Sequence, residues 1–168
     1  MADTNPEVAA LGILARREIE AGVIAPLVRA FRERFGDEAV LPILAEVIEG
    51  LAREHGARLA QEAGGGTMRA LGEIWEPWTR GGALELEWLE KSDRAVAFNV
   101  RRCRYAEMYR RLGIPELGRY LSCNRDAALV EGFSPDIELT RTQTIMEGAP
   151  FCDFRYHLRR KRPDEAKS

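Results

Sequence analysis

The chain has 168 residues, a length that suits one domain able to bury a core without metals or disulfides to hold it together. Its 25 basic and 27 acidic side chains leave a formal net charge of -2, so no global field gathers nucleic acid or an anionic membrane. Three cysteines cannot all pair internally, no secretory leader pattern opens the sequence, and apolar runs such as Ala39 to Ala45 are too short to cross a bilayer; a cytoplasmic protein without integral membrane association is expected.

In chain order, Asn5 to Phe35 reads as helix, with Val8, Leu11, Ala15, Ile24, Leu27, Val28, Phe31 and Phe35 as its apolar stripe and Gly36 as its stop. Pro26 predicts either one bent helix or two shorter ones. Asp37 can cap a second helix whose stripe is Val40, Leu41, Leu44, Val47, Ile48 and Leu51. The Gly64-Gly65-Gly66 run lacks the lysine and hydroxyl residue of a phosphate loop and reads as a joint. Thr67 to Trp78 permits a further short helix that Pro77 helps to terminate.

The period then changes to two. Leu84, Leu86 and Trp88 alternate with glutamates, a Lys91-Ser92-Asp93 turn follows, and Arg94 to Val100 returns as the second strand of a hairpin. Tyr105 to Leu112 and Pro115 to Leu121 read as short helices, and Ile137 to Ile145 and Phe151 to Leu158 as strands around a Glu147-Gly148 turn. The expected fold is therefore α+β, N-terminal helices packed with a C-terminal, mainly antiparallel sheet of about four strands. We read residues 1–168 as one domain, with 5–80 mainly helical, 84–158 mixed and holding the suspected site, and 159–168 a polar tail.

Reactive groups concentrate in the second half. Cys103 falls where a strand enters a helix, so backbone N–H groups and Arg101, Arg102 or Arg104 can favour its thiolate; a buried, inert cysteine is the competing reading. Cys123 and Asp126 share one face if their stretch is helical, whereas Cys152 and Asp153 point to opposite faces of a regular strand. Arg141 can clamp a substrate carboxylate or serve as a structural ion-pair partner, and strand alternation separates it from Thr142 and Thr144. Asn99, Tyr105, Glu107, Thr142 and Thr144 complete the candidate substrate-binding set.

Competing chemistries are weakly supported. The cysteines stand 20 and 29 residues apart, without the close pair of a zinc ribbon or a C-x-x-C redox motif, so no metal ligands are assigned and no cofactor is expected, metal dependence being left open. His55 stands alone in the first half and His157 reads as structural or solvent-facing, with no nucleophile-elbow serine to join them. Trp75, Trp78 and Trp88 fit core packing better than a ligand pocket.

Asn99-Val100-Arg101-Arg102-Cys103-Arg104-Tyr105, Gly113-Ile114-Pro115-Glu116-Leu117, Cys123-Asn124-Arg125-Asp126, Arg141-Thr142-Gln143-Thr144-Ile145 and Cys152-Asp153-Phe154 follow one another in this order. Together they resemble the signature of the L-2-amino-thiazoline-4-carboxylic acid hydrolase family, most strongly between Phe98 and Tyr156. The resemblance implies hydrolytic opening of a small cyclic amidine or thiazoline carboxylate, giving N-carbamoyl-L-cysteine in the named reaction. It implies a site among Cys123, Asp126, Cys103, Cys152 and Asp153, with Arg141 on the substrate carboxylate. Attack by a cysteine thiol and attack by aspartate-activated water both remain open, with a slight preference for Cys123. The alternative readings are a non-catalytic module binding a small ligand or partner, and a structural protein associating through its long N-terminal helices; a homo-oligomer is among the expected partners.

Overall fold

The computed structural model describes Glu7 and residues 10–159. Val8 and the tail beyond Arg159, both read above, lie outside the described residues. Two long helices come first, α1 over Ile13–Phe35 and α2 over Asp37–Glu62, joined by Gly36 alone. Gly36 has φ 81, a left-handed conformation that glycine adopts without the steric cost of a Cβ. Arg32 donates from Nε and Nη2 to the two carboxylate oxygens of Asp37, both at 2.7 Å, and clamps the corner.

α1 runs unbroken through Pro26. The carbonyl that Pro26 deprives of a donor belongs to Gly22, which is exposed, so water can reach it, while Ala21, Ala25 and Val28 hold the opposite face in the core. The buried arcs of both helices are narrower than the periodicity predicts. Val28 and Ile48 are buried, and Ile24, Val40, Leu41 and Leu44 are partly buried. Leu11, Ala15, Leu27, Phe31, Phe35, Val47 and Leu51 instead face outward. Small residues explain this. Ala21, Ala25, Ala52 and Gly56 fill the buried positions, and the bulkier side chains are turned away.

Thr67 to Trp78 forms two single turns, α3 over Met68–Leu71 and α4 over Glu76–Thr79. Pro77 opens the second turn and does not end the first, as its missing N–H suits an initial position. The hairpin strands are β1, Leu84–Lys91, and β2, Ala95–Cys103. After them come α5 (Arg104–Arg111), α6 (Pro115–Gly118), a π-helical turn at Arg119–Cys123 and α7 (Asn124–Phe133). Strand β3 covers only Ile137–Thr140. The remainder of the expected Ile137 to Ile145 strand is an irregular segment and a 3-10 turn at Ile145–Glu147, because Asp153 captures its backbone as described below. β4, Cys152–Leu158, closes the sheet.

The four strands are antiparallel in the order β1-β2-β4-β3, so the chain has an α+β fold with N-terminal helices and a C-terminal four-stranded antiparallel sheet. The register pairs Val100 with Cys152 and Asn99 with Asp153. Val96, Phe98 and Val100 therefore share the core face with Cys152, Phe154 and Tyr156. Phe98 stacks on Phe154 at 5.0 Å, and the Trp75 edge meets Phe98 at 5.0 Å. Each such aromatic removes enough apolar surface from water to contribute roughly 1.5–3 kcal/mol.

α2 and α7 cross almost backbone to backbone. A Cβ on Gly132 would lie 2.0 Å from the Arg53 carbonyl oxygen, and one on Gly56 would lie 1.9 Å from that of Leu129. This contact seats the end of α7 on the second half of α2, and Ala52 and His55 line the same cavity as Cys123 and Asp126.

Candidate active site

Between the helices and one end of the sheet lies a cavity of about 80 Å³. At about 10–15 Å³ per water on the same measure, it has room for several waters or a small heterocycle. α1 and α2 contribute Ile13, Arg17, Ala52 and His55, and the tryptophans Trp75 and Trp78 form a wall. The sheet contributes Leu84, Val100, Cys103, Cys152 and Phe154, and the π turn with α7 contributes Ser122, Cys123, Arg125, Asp126 and Leu129. Tyr105, Arg141 and Met146 complete it.

All three thiols, separated by 20 and 29 residues, meet at this cavity, and none is in a disulfide. Cys103 is the N-cap of α5, its Sγ accepting the Ala106 N–H at 3.4 Å. Burial nevertheless raises its pKa to about 11, overriding that amide. The neighbouring arginines give no help, because each is committed elsewhere: Arg101 to Glu87, Arg102 to Glu107 and Glu85, and Arg104 to the Gly81 carbonyl. Cys152 accepts the Ile145 N–H at 3.2 Å, and burial raises its pKa too. Burial also raises Cys123, and the Asp126 charge adds to the effect. No hydrogen bond engages the Cys123 sulfur among the described residues.

Asp126 sits one turn beyond Cys123, in the first turn of α7. Its side chain is 29% accessible, but that surface faces the cavity, and burial raises its pKa against the lowering effect of Arg141. Arg141 Nη1 forms an ion pair with Asp126, and Nη2 donates to the Cys123 carbonyl at 3.3 Å. Phe154 lies 5.3 Å from the guanidinium, covering it.

Several expected residues lie outside the cavity. Asp153 is turned to the opposite sheet face, where its carboxylate accepts from the Thr142 N–H (3.0 Å), the Gln143 N–H (2.9 Å) and the Thr142 hydroxyl (2.7 Å). Burial works against its charge, but these donors outweigh burial and lower its pKa. Asn99, on that same face, donates to Glu87 at 2.9 Å and accepts from Arg155 at 2.8 Å. Glu107 is paired with Arg102. Thr144 is buried as the cap of the 3-10 turn, accepting the Glu147 N–H and donating to its carboxylate. His157 pairs with Glu138 at 2.6 Å on the outside of the sheet.

The sequence reading missed Arg17 and His55. Both had a signal: Arg17 stands between Ile13 and Ala21 on the buried face of α1, and His55 extends the Ile48–Ala52 stripe of α2. His55 packs on Trp78 at 5.6 Å; burial and then the Arg58, Arg17, Arg16 and Arg125 charges depress its pKa to about 4, so it is neutral at physiological pH. Trp75 and Trp78 serve both as core and as cavity wall, whereas Trp88 packs its edge on Phe98 outside the cavity. Two buried donors at the wall, Trp75 Nε1 and the Tyr105 hydroxyl, have no hydrogen-bond partner. Among the described residues, no group of three or more His, Cys, Asp or Glu is placed to hold a metal ion, and no helix is long and apolar enough to cross a membrane.

Two solved structures share the fold. One is trafficking protein particle complex subunit 3 from Naegleria fowleri, covalently bound to palmitic acid, at TM-score 0.54 and 12% identity over 87% of this chain and 96% of that one. The other is the phenol-responsive sensory domain of the transcription activator PoxR with phenol, at TM-score 0.51 and 12% identity over 80% of this chain and 72% of that one. At this identity the likeness concerns fold alone. No curated protein matches the sequence. The family model for L-2-amino-thiazoline-4-carboxylic acid hydrolase matches residues 16–156, a span containing every cysteine, Asp126, Arg141 and nearly the whole cavity. The chain belongs to the L-2-amino-thiazoline-4-carboxylic acid hydrolase family.

Proposed function

We propose that this chain hydrolyses a small cyclic amidine or thiazoline carboxylate, as in the conversion of L-2-amino-thiazoline-4-carboxylate to N-carbamoyl-L-cysteine, with Cys123 as nucleophile and Asp126 as its proton acceptor. One observation carries the choice of thiol. Cys103 and Cys152 each accept a backbone N–H, whereas the Cys123 sulfur is uncommitted and lies one turn from the cavity's carboxylate.

Burial keeps Cys123 a thiol at rest, so attack requires the proton to pass to Asp126 as the Sγ–carbon bond forms. The electrophile is the amidine carbon between ring nitrogen and ring sulfur. The bond from that carbon to the ring sulfur then breaks, and the sulfur leaves as a thiol with the proton held by Asp126. An isothiourea on Cys123 results. Water attacks the same carbon, the Cys123 sulfur departs and recovers a proton, and the urea of N-carbamoyl-L-cysteine is released; one water is consumed overall. Arg141 favours the charged form of Asp126 against burial and aims it, and Asp153 acts at a distance by holding the Thr142–Gln143 backbone.

The test is ring opening by wild type, C123S, C103S, C152S and D126N, with mass spectrometry of wild type quenched during turnover. Expected are a loss of at least about 100-fold in C123S and in D126N, and an adduct on Cys123. Full activity in folded C123S removes the thiol and leaves water activated by Asp126. Saturable binding without turnover in wild type moves the chain to a non-catalytic module.

A second copy of the chain is proposed as partner for the N-terminal helices. Ile19, Val23, Leu27 and Phe31, at four-residue steps on α1, and Ile43, Val47 and Leu51 on α2 are each about half exposed. Seven half-exposed large apolar side chains on two adjacent helices form the kind of contiguous patch that a partner covers. Light scattering is expected to give twice the chain mass for wild type and the chain mass for V23E/L27E; a monomeric wild type overturns it. The three free thiols suit a cytoplasmic setting.

A further inference from the structure

We propose that Arg17 and Arg125, with the Tyr105 hydroxyl, form the subsite that holds the substrate carboxylate, and that Arg141 is a positioning residue for Asp126. The inference rests on the hydrolase reading for the identity of the molecule that carries the carboxylate.

Arg141 has little left to offer a ligand. Its guanidinium is paired with Asp126, donates to the Cys123 carbonyl and is covered by Phe154, so its charge is balanced in place. The other two arginines of the cavity are not balanced in this way. Arg17 and Arg125 both line the cavity, with side chains only 15% and 14% accessible, and among the described residues Glu20 is the one carboxylate within ion-pair distance of either. Glu20 lies against Arg17 at 2.5 Å and is 3.9 Å from Arg125. Two partly buried cations thus share one anion.

Arg125 also has free hydrogen-bonding capacity. Its Nε donates to the Leu121 carbonyl at 2.8 Å, but its two terminal nitrogens make no hydrogen bond among the described residues. Tyr105, which also lines the cavity and feels the Arg17 charge, is 6% exposed, and its buried hydroxyl has no partner. The neutral His55 ring adds an N–H and no competing charge. Burial and the proximity of Arg17 depress Arg125 to about 10, and a bound anion would relieve both effects. Two guanidinium groups and a hydroxyl donor match the planar oxygens of a carboxylate.

The experiment compares L-2-amino-thiazoline-4-carboxylate with its uncharged carboxamide, in turnover and in equilibrium binding read from Trp75 and Trp78 fluorescence. The proteins are wild type, R17Q, R125Q, R125K and R141Q. Loss of one charge-assisted contact is expected to raise KM and Kd for the acid about 10- to 100-fold in R17Q and R125Q, with kcat within a few-fold. The carboxamide should be indifferent, and R125K should recover part of the loss. R141Q should lower kcat for both compounds. An unchanged acid KM and Kd in folded R17Q and R125Q, or a rise confined to R141Q, overturns the subsite. If R125Q fails to fold, R17Q decides. Wild type that binds the acid, loses it in R17Q and turns over nothing retains the subsite and sinks the hydrolase reading. No binding of the acid by wild type sinks the subsite.

Discussion

Removing the Arg141 guanidinium in R141Q tests how the cavity tolerates a buried carboxylate. Asp126 already has a raised pKa because burial disfavours its charge, and the Arg141 charge is the strongest influence opposing that rise. Taking one member from a buried ion pair costs about 3–5 kcal/mol, since the other charge stays desolvated. A chain of this size loses roughly 2–4 °C of Tm per kcal/mol, so about 6–12 °C is expected at pH 8 for the lower figure. The loss should depend on pH. In R141Q the folded-state pKa of Asp126 lies further above its unfolded value, so between the two the folded protein binds more protons than the unfolded chain. Stability is then fully present below the unfolded pKa and is lost as pH rises through the folded pKa, at up to about 1.4 kcal/mol per pH unit. Urea melts of wild type and R141Q from pH 5 to 8 measure the difference, in which contributions from the other carboxylates cancel. A penalty below about 1 kcal/mol, or one of equal size at pH 5 and pH 8, would refute the argument that Arg141 balances a desolvated Asp126 charge.

G132A should lower stability by about 3 kcal/mol, because its Cβ would stand 2.0 Å from the Arg53 carbonyl and force α2 from α7. G22A, with nothing within 4 Å of the added carbon, should instead be neutral or stabilising by up to about 1 kcal/mol; thermal melts of the pair check both signs. His55 has a folded pKa of about 4 against an ordinary 6.5, so its contribution to stability is present above pH 6.5 and is lost as pH falls towards 4. With water reaching part of the ring, wild type should lose on the order of 2 kcal/mol more than H55Q between pH 7 and pH 4, as measured by denaturant melts. Cys103, raised from 9.0 to about 11, should react with iodoacetamide at pH 7.5 about 100-fold more slowly than a free cysteine; site-resolved mass spectrometry showing rapid labelling would contradict its burial.

Much of the fold was legible from the chain alone. Alternation from Leu84 to Val100 and the branched residues of the last strands specify an antiparallel sheet, since period two leaves one face to the core. The same alternation separated Cys152 from Asp153, and helical spacing placed Cys123 beside Asp126; both are local consequences of backbone geometry. The family motifs likewise marked the stretch from Phe98 to Tyr156 that the family match covers.

Other features depended on contacts between distant residues. Which side of α1 is buried is decided by what packs there, so small Ala21 and Ala25 entered the core and large Leu27 and Phe31 did not. Cys103 had a helix N-terminus and three neighbouring arginines in its favour, yet those arginines found glutamates and a carbonyl outside, and desolvation prevailed. His55 on α2 and Arg125 on α7 meet at one cavity because Gly56 and Gly132 let those helices touch, and Arg17 joins them from α1. Periodicity reports the shape of a single element, and local spacing identifies pairs within one turn or strand. The charge balance of a cavity is a sum over elements far apart in the chain, and only their packing sets it.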